Sequence, residues 1–235
     1  MMNQIALPII PQVSDDLLEQ YSLQMLKLGQ SDTPLQRVLR EMEEIAETES
    51  IPIVGALEGS ILAGLIAMRH PPIRQVLDIG TAIGYSAIWM ASVLGKDAHI
   101  TSIELDQKRA ARAQEFIRRA GVDHQVEVIV GDVFEILPRQ NKNFDVIFQD
   151  CMKHVYFARD PQLAIELLDL CVSHLALDGL LFTDNAFCQG RVLEPSEYNQ
   201  VKGIQTYNQT IARHTQLESL LLPFRDGLWF SRRLI

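Results

Sequence analysis

From Gln75 to Thr183 the chain alternates short apolar runs with helical stretches, and no other feature restricts its fold so tightly. Gln75–Ile79, Ala98–Ile103, Val126–Val130, Phe144–Phe148 and Leu180–Thr183 read as strands, and Ser86–Leu94, Gln107–Ala120, Val133–Leu137 and Pro161–Leu175 as helices. The runs are close to continuously apolar, as strands buried on both faces must be, and helical crossovers are what parallel strands need. The pattern predicts an α/β domain with helices on both faces of a mostly parallel sheet. The tail differs. A helix over Gln200–His214 precedes two strands, Leu217–Leu222 and Leu228–Arg232, and the Pro223–Gly227 gap is too short for a parallel crossover, so the last strand is expected to run antiparallel.

Residues 1–56 read as a helical N-terminal segment and 57–235 as the core of a single domain. Asp15–Leu28 carries Leu17, Leu18, Tyr21 and Met25 on one side, with Ser14 or Asp15 as cap and Gly29 as stop. Pro34–Thr48 follows, capped by Thr33 with proline at the first helical position. A short segment, Ile51–Val54, leads into a helix over Leu57–His70 that Pro71 and Pro72 end.

Val76-Leu77-Asp78-Ile79-Gly80-Thr81-Ala82-Ile83-Gly84-Tyr85-Ser86 is a strand, a glycine turn and a helix start, a geometry that aims backbone N–H groups at a polar ligand. Glu104 ends the next strand, 20 residues after Gly84, where a carboxylate can accept both hydroxyls of a ribose. Ala82 stands where the dinucleotide fingerprint has its middle glycine, and Asp78 would repel a pyrophosphate but can receive an ammonium. Together they suit S-adenosylmethionine better than NAD. Asp132, after the third strand, can face an adenine amino group, cap the helix beginning at Val133, or do both.

The fourth and fifth strands end in Asp150 and in Asp184-Asn185. Neighbouring strand ends would bring these three oxygen donors together, which suits a hard cation such as Mg²⁺, Mn²⁺ or Ca²⁺ with positions left for substrate; the alternative is that both acids merely cap loops. Lys153, three residues past Asp150, is either a surface lysine or a base whose pKa the cation lowers.

Charge bears on the partner. The chain holds 21 Lys and Arg against 30 Asp and Glu, a formal net charge of −9, which argues against a protein that lives on nucleic acid. The excess is local: residues 1–60 hold ten acids and three bases, and the rest of the chain 20 acids and 18 bases. Cys151, Cys171 and Cys188 form no C-x-x-C pair and suggest no disulfide framework. No apolar run is long enough to span a membrane and the first residues lack a basic leader pattern, so a cytosolic (cytoplasmic) protein is expected.

The Asp78–Ser86 turn, Glu104, Asp150 with Lys153 and Tyr156, Asp184-Asn185, and Asp226-Gly227-Leu228 occur in order over residues 51–235. In this set the chain resembles the cation-dependent, S-adenosylmethionine-dependent O-methyltransferases of the caffeoyl-CoA and catechol type. The resemblance implies a Rossmann-like class I methyltransferase fold of seven strands. It implies that Asp150, Asp184 and Asn185 bind Mg²⁺ or a similar cation and that Lys153 assists deprotonation. It further implies cofactor contacts from Val54, Asp78, Gly80, Ser86, Glu104, Asp132, Val133 and Asp150, and a homodimer. Gly80–Ile88 and Ile51-Pro52-Ile53 look most like a bacterial subgroup that methylates 5-hydroxyuridine in tRNA. A catechol-like small phenol and this tRNA nucleoside both offer a hydroxyl beside a second oxygen, and both stay open as acceptors. A binding subunit that has lost catalysis is the alternative of another class. Cys151, where the family usually has a small residue, and Ala186–Arg191, where the plant enzymes carry tryptophan and glycines, are departures on the acceptor side.

Overall fold

The computed structural model describes residues 15–29, 32–152 and 155–235. Seven strands, β1 (Gln75–Ile79), β2 (His99–Glu104), β3 (Val126–Val130), β4 (Phe144–Gln149), β5 (Leu175–Thr183), β6 (Leu217–Leu222) and β7 (Leu228–Arg233), form one sheet in the order β3-β2-β1-β4-β5-β7-β6. β7 alone runs against its neighbours β5 and β6. The expected α/β architecture with an antiparallel last strand is the observed one.

Around the sheet lie α1 (Asp15–Gly29), α2 (Pro34–Glu49), α3 (Gly55–Ala67), α4 (Tyr85–Ala91), α5 (Gln107–Ala120), α6 (Val133–Ile136), α7 (Val155–Arg159), α8 (Leu163–His174) and α9 (Asn199–Ala212). The strands split the core in two, because successive side chains point to opposite faces. Val76, Val146, Phe148 and Phe182 pack with residues of α2 to α5, while Leu77, Ile79, Ile147 and Leu181 pack with residues of α8 and α9. Among the described residues no helix is long and apolar enough to cross a membrane.

The acidic N-terminal helices are fastened to the core by charge as well as by apolar contact. Val38, Leu39 and Met42 of α2 are buried in the first cluster. At its edges Glu49 accepts two hydrogen bonds from Arg112 at 2.5 and 2.7 Å, and Glu41 pairs with Arg119, both arginines lying on α5. The arginines hold both carboxyls below the usual glutamate range. Two of the ten acids of residues 1–60 are thus answered from the core.

Several boundaries depart from the sequence reading. Thr33 caps α2 as expected, its hydroxyl accepting from Gln36 N at 3.2 Å. The proposed α1 cap, Ser14 or Asp15, lies outside the described residues and side chains. Leu17, Leu18 and Tyr21, read as the packing stripe of α1, are more than half exposed, and Leu23 and Leu26 face the core instead. The helix carries apolar residues on two sides, so its pattern alone does not choose between them. β5 begins at Leu175, directly after α8, because the Ala176–Gly179 stretch bulges with Asp178 at φ 63° before pairing resumes at Leu180. An Asp-Gly pair reads as a turn, which hid that start.

Candidate active site

Strand register builds the site. Ile79 pairs with Gln149, and Gln149 with Thr183, so the next residue of each strand stands in one row: Gly80, Asp150 and Asp184. The backbone continues the ladder, with Asp150 N donating to Ile79 O at 2.9 Å and Asp184 N to Gln149 O at 3.1 Å. The row borders a cavity of about 850 Å³, in the range of small-molecule sites. Its wall includes Ile79, Gly80, Ala82, Ile103, Glu104, Gly131, Val133 and Tyr156 on one side. On the other are Asp184, Asn185, Gln189, Arg225 and Asp226, with Glu19, Pro52 and Ile53 contributed from the N-terminal elements.

The glycine turn is shaped by what lies behind it. Gly80 has φ 101°, and its N–H and that of Thr81 donate to Ile103 O at 3.0 and 3.2 Å. Gly84, at φ 93°, starts α4. Asp78 is fully buried behind the turn, where its two oxygens accept from Ser86 Oγ at 3.0 Å and Ser102 Oγ at 2.6 Å. Burial pushes its carboxyl up to about 6, partly offset by the two hydroxyls. Asp78 and Ser86, expected to touch a cofactor, therefore brace the loop and are not in the cavity wall. Their place follows from the pleat: Asp78 alternates with Leu77 and Ile79 and points into the opposite layer. Ser102 was not anticipated, although two polar residues, Thr101 and Ser102, inside a central strand are a signal of it.

Glu104 is placed as expected. It is buried at the cavity edge, its Oε2 accepting from Ala82 N at 2.8 Å and its Oε1 from Asp106 N at 2.9 Å. Those bonds join the turn after β1 to the end of β2 and fix the carboxylate at the cavity wall. Asp132 caps α6 through Phe134 N at 2.9 Å and also bonds the Tyr156 hydroxyl, whose titration burial and the nearby acid push up. Its neighbours Gly131 and Val133 reach the cavity; Asp132 itself, like Val54, is outside the wall, where Ile53 takes the place expected for Val54.

Asp184 and Asn185 are nearly buried, at 6% and 9% exposure. Asn185 stands at φ 68°, and both its N–H groups turn back to the Asp184 carboxylate, at 2.5 Å from the backbone and 2.6 Å from the side chain. With its amide nitrogen so engaged, its amide oxygen is the atom left to act as a donor to a cation. Two carboxylates and an amide fit a hard divalent ion. Among the described residues no group of three His, Cys, Asp or Glu forms a metal site, so this set rests on its third, neutral donor. Lys153 lies outside the described residues.

Residues 29–234 match the family model described as O-methyltransferase. The chain belongs to the O-methyltransferase family. Over 154 residues it is 32% identical to a catechol O-methyltransferase of Niastella koreensis, spanning 63% of this chain and 66% of that one. A structure assigned provisionally as a caffeoyl-CoA O-methyltransferase of Staphylococcus aureus superposes with a TM-score of 0.78 at 27% identity, covering 93% of this chain and all (100%) of that one. An O-methyltransferase of Bacillus cereus in complex with S-adenosylhomocysteine has the same fold, with a TM-score of 0.76 at 24% identity over 92% and 97% of the two chains.

Against this family background, Glu19 and Arg225 are wall residues that the sequence did not point to, while Cys151 and Gln189 lie in the two acceptor-side departures. Cys151 is buried and its thiol is pushed up to about 12, chiefly by burial, so it stays a neutral packing group. Arg225 lies 3.8 Å from Glu19 of α1 and 3.7 Å from the buried Glu58 of α3, so α1 reaches the cavity rim through an ion pair. Asp226 accepts from Gln189 N at 2.5 Å, tying the loop after Asn185 to the β6–β7 connection.

Proposed function

We propose that this O-methyltransferase moves the methyl group of S-adenosylmethionine to a hydroxyl with a vicinal oxygen on a small catechol-like phenol. We further propose a divalent cation, Mg²⁺ or a similar ion, held by Asp150, Asp184 and Asn185. The observation that carries this reading is the row of Gly80, Asp150 and Asp184 in one register across β1, β4 and β5. The row sets the candidate donor cradle and the candidate cation ligands on one cavity, as transfer between two bound molecules requires.

When bound, the donor supplies an electrophilic methyl and the cation lowers the pKa of a hydroxyl that it chelates. The protein supplies the rest. Glu104, fixed by Ala82 and Asp106, holds the ribose of the donor. Gly80, with no side chain, lets the turn after β1 close onto the backbone of Asp150, so the donor over the turn lies beside the cation ligands. Lys153, three residues after Asp150, takes the acceptor proton. Buried Ile79, Ile103 and Val133 keep the cavity apolar between these polar groups.

Phosphate binding needs arginines that are free to turn outward, and four of them are engaged within the chain, which supports a small acceptor over tRNA. Arg118 pairs with Glu115, Arg119 with Glu41 and Arg232 with Asp178, while Arg233 donates to the carbonyls of Val172 and Leu175. A side-by-side methylation assay on a catechol panel and on tRNA carrying 5-hydroxyuridine tests the choice. Transfer to catechols alone is the expected result, transfer to tRNA alone would replace the acceptor, and donor binding without any transfer would favour a silent subunit.

A further inference from the structure

The Asp184-Asn185 pair is gripped from outside the sheet by two consecutive residues of α9. On one side Tyr207 Oη lies 2.8 Å from Thr183 Oγ1, directly before Asp184. On the other, Asn208 Nδ2 donates to Ala186 O at 2.7 Å, directly after Asn185. The orientation of the Asn208 amide is itself decided by a third residue. Trp229 of β7 donates from Nε1 to Asn208 Oδ1 at 2.7 Å, and an indole N–H can only donate, so the oxygen must face Trp229 and the nitrogen must face Ala186. Trp229 is in register with Thr183, which closes the loop of contacts back onto β5.

What this clamp steadies is a turn otherwise held by local bonds. Asn185 stands in the left-handed region, a conformation of some cost for a residue other than glycine, with both its N–H groups on the Asp184 carboxylate. Within the loop, Ala186 N donates to Gly227 O at 3.0 Å and Phe187 N to Asp226 O at 2.7 Å, which fix the far side of the turn. The Ala186 carbonyl, on the peptide between Ala186 and Phe187, has Asn208 as its partner.

We infer that Asn208, oriented by Trp229, is a positioning residue that presents Asp184 and Asn185 to the divalent cation. The inference rests on the cation reading proposed above. It makes α9, which contributes nothing to the cavity wall, the element that sets cation affinity. Outer partners of ligating groups commonly change metal affinity by about 10- to 100-fold when removed.

The test is Mn²⁺ titration of the full chain, read by the electron paramagnetic resonance signal of the free ion, with S-adenosylhomocysteine titrated by calorimetry in parallel. The variants are Asn208→Leu, which keeps the shape without the amide, and Trp229→Phe, which frees the amide to turn and keeps the test open if the first variant does not fold. The expected result is an Mn²⁺ affinity about 10- to 100-fold weaker for Asn208→Leu and less weakened for Trp229→Phe, with S-adenosylhomocysteine affinity unchanged in both. Mn²⁺ affinity equal to that of the unsubstituted chain in both variants overturns the inference. So does a parallel loss of both affinities, which would mark a general packing role. Failure of the unsubstituted chain to bind Mn²⁺ would instead overturn the cation reading, and the inference with it.

Discussion

The backbone carbonyl of Asp150 occupies the space that a side chain on Gly80 would need: an ideal Cβ there falls well inside 3.0 Å of it. The turn after β1 and the end of β4 are thus pressed together, so the groups expected to hold the methyl donor and the cation share one wall. Whatever binds over Gly80 lies beside Asp150.

This contact makes Gly80→Ala a sharp probe. The residue must keep φ 101° and also move a backbone carbonyl, at a cost of about 1–3 kcal/mol for the conformation alone. Denaturant unfolding should show that loss, and calorimetry should show weaker binding of S-adenosylhomocysteine. Unchanged affinity would mean that the donor does not lie over this turn.

Glu104→Gln should act on the donor without disturbing the sheet. The glutamine replaces one acceptor oxygen with a donor, so either Ala82 N or Asp106 N loses its partner, an effect of about 1–3 kcal/mol for a buried group. S-adenosylhomocysteine should bind about 10- to 100-fold more weakly. Equal binding would remove Glu104 from the ribose.

Asp78 predicts a pH dependence of stability with a defined sign. Its carboxyl is raised from the ordinary aspartate value of 3.8 to about 6 in the folded chain, because burial favours the neutral form. Between those values the folded chain keeps a proton that the unfolded chain has lost, so this group's contribution to stability is lost as pH rises through the window. Asp78→Asn removes the loss. Urea unfolding from pH 4 to 7 should show the difference between variant and wild type shifting toward the variant up to about pH 6 and then levelling. Asp32, Glu41, Glu49 and Asp178, held low by arginines, act in the opposite direction but in both proteins alike. A difference that is flat with pH would contradict the account.

Lys153→Ala should lower the transfer rate about 10²- to 10⁴-fold, the range for a positioned base, and leave donor affinity unchanged. Single-turnover kinetics with saturating donor would check it, and an unaltered rate would take the proton-accepting role away from Lys153.

The sheet and the row of strand-end residues were legible because each depends on local pattern. Near-continuous apolar runs ending in Gly80, Glu104, Asp150 and Asp184 announce buried parallel strands, and in such a sheet the residues after the strands share an edge. What stayed hidden depends on long-range geometry. Asp78 is one residue from Ile79, yet the pleat turns it away from the cavity, toward Ser86 and Ser102. Glu19 reaches the rim only because α1 folds back onto Arg225, and no spacing relates residues so far apart. Tyr207 and Asn208 sit in a helix that reads as ordinary, and their bonds to Thr183 and Ala186 emerge only once α9 has docked.

The most direct measurement is methyl transfer from S-adenosylmethionine to a catechol, followed before and after exhaustive chelation and again on return of Mg²⁺. The account predicts transfer with Mg²⁺, its loss on chelation and its recovery, and no transfer by Asp184→Ala under any of the three conditions. Full activity in the chelated enzyme would contradict it.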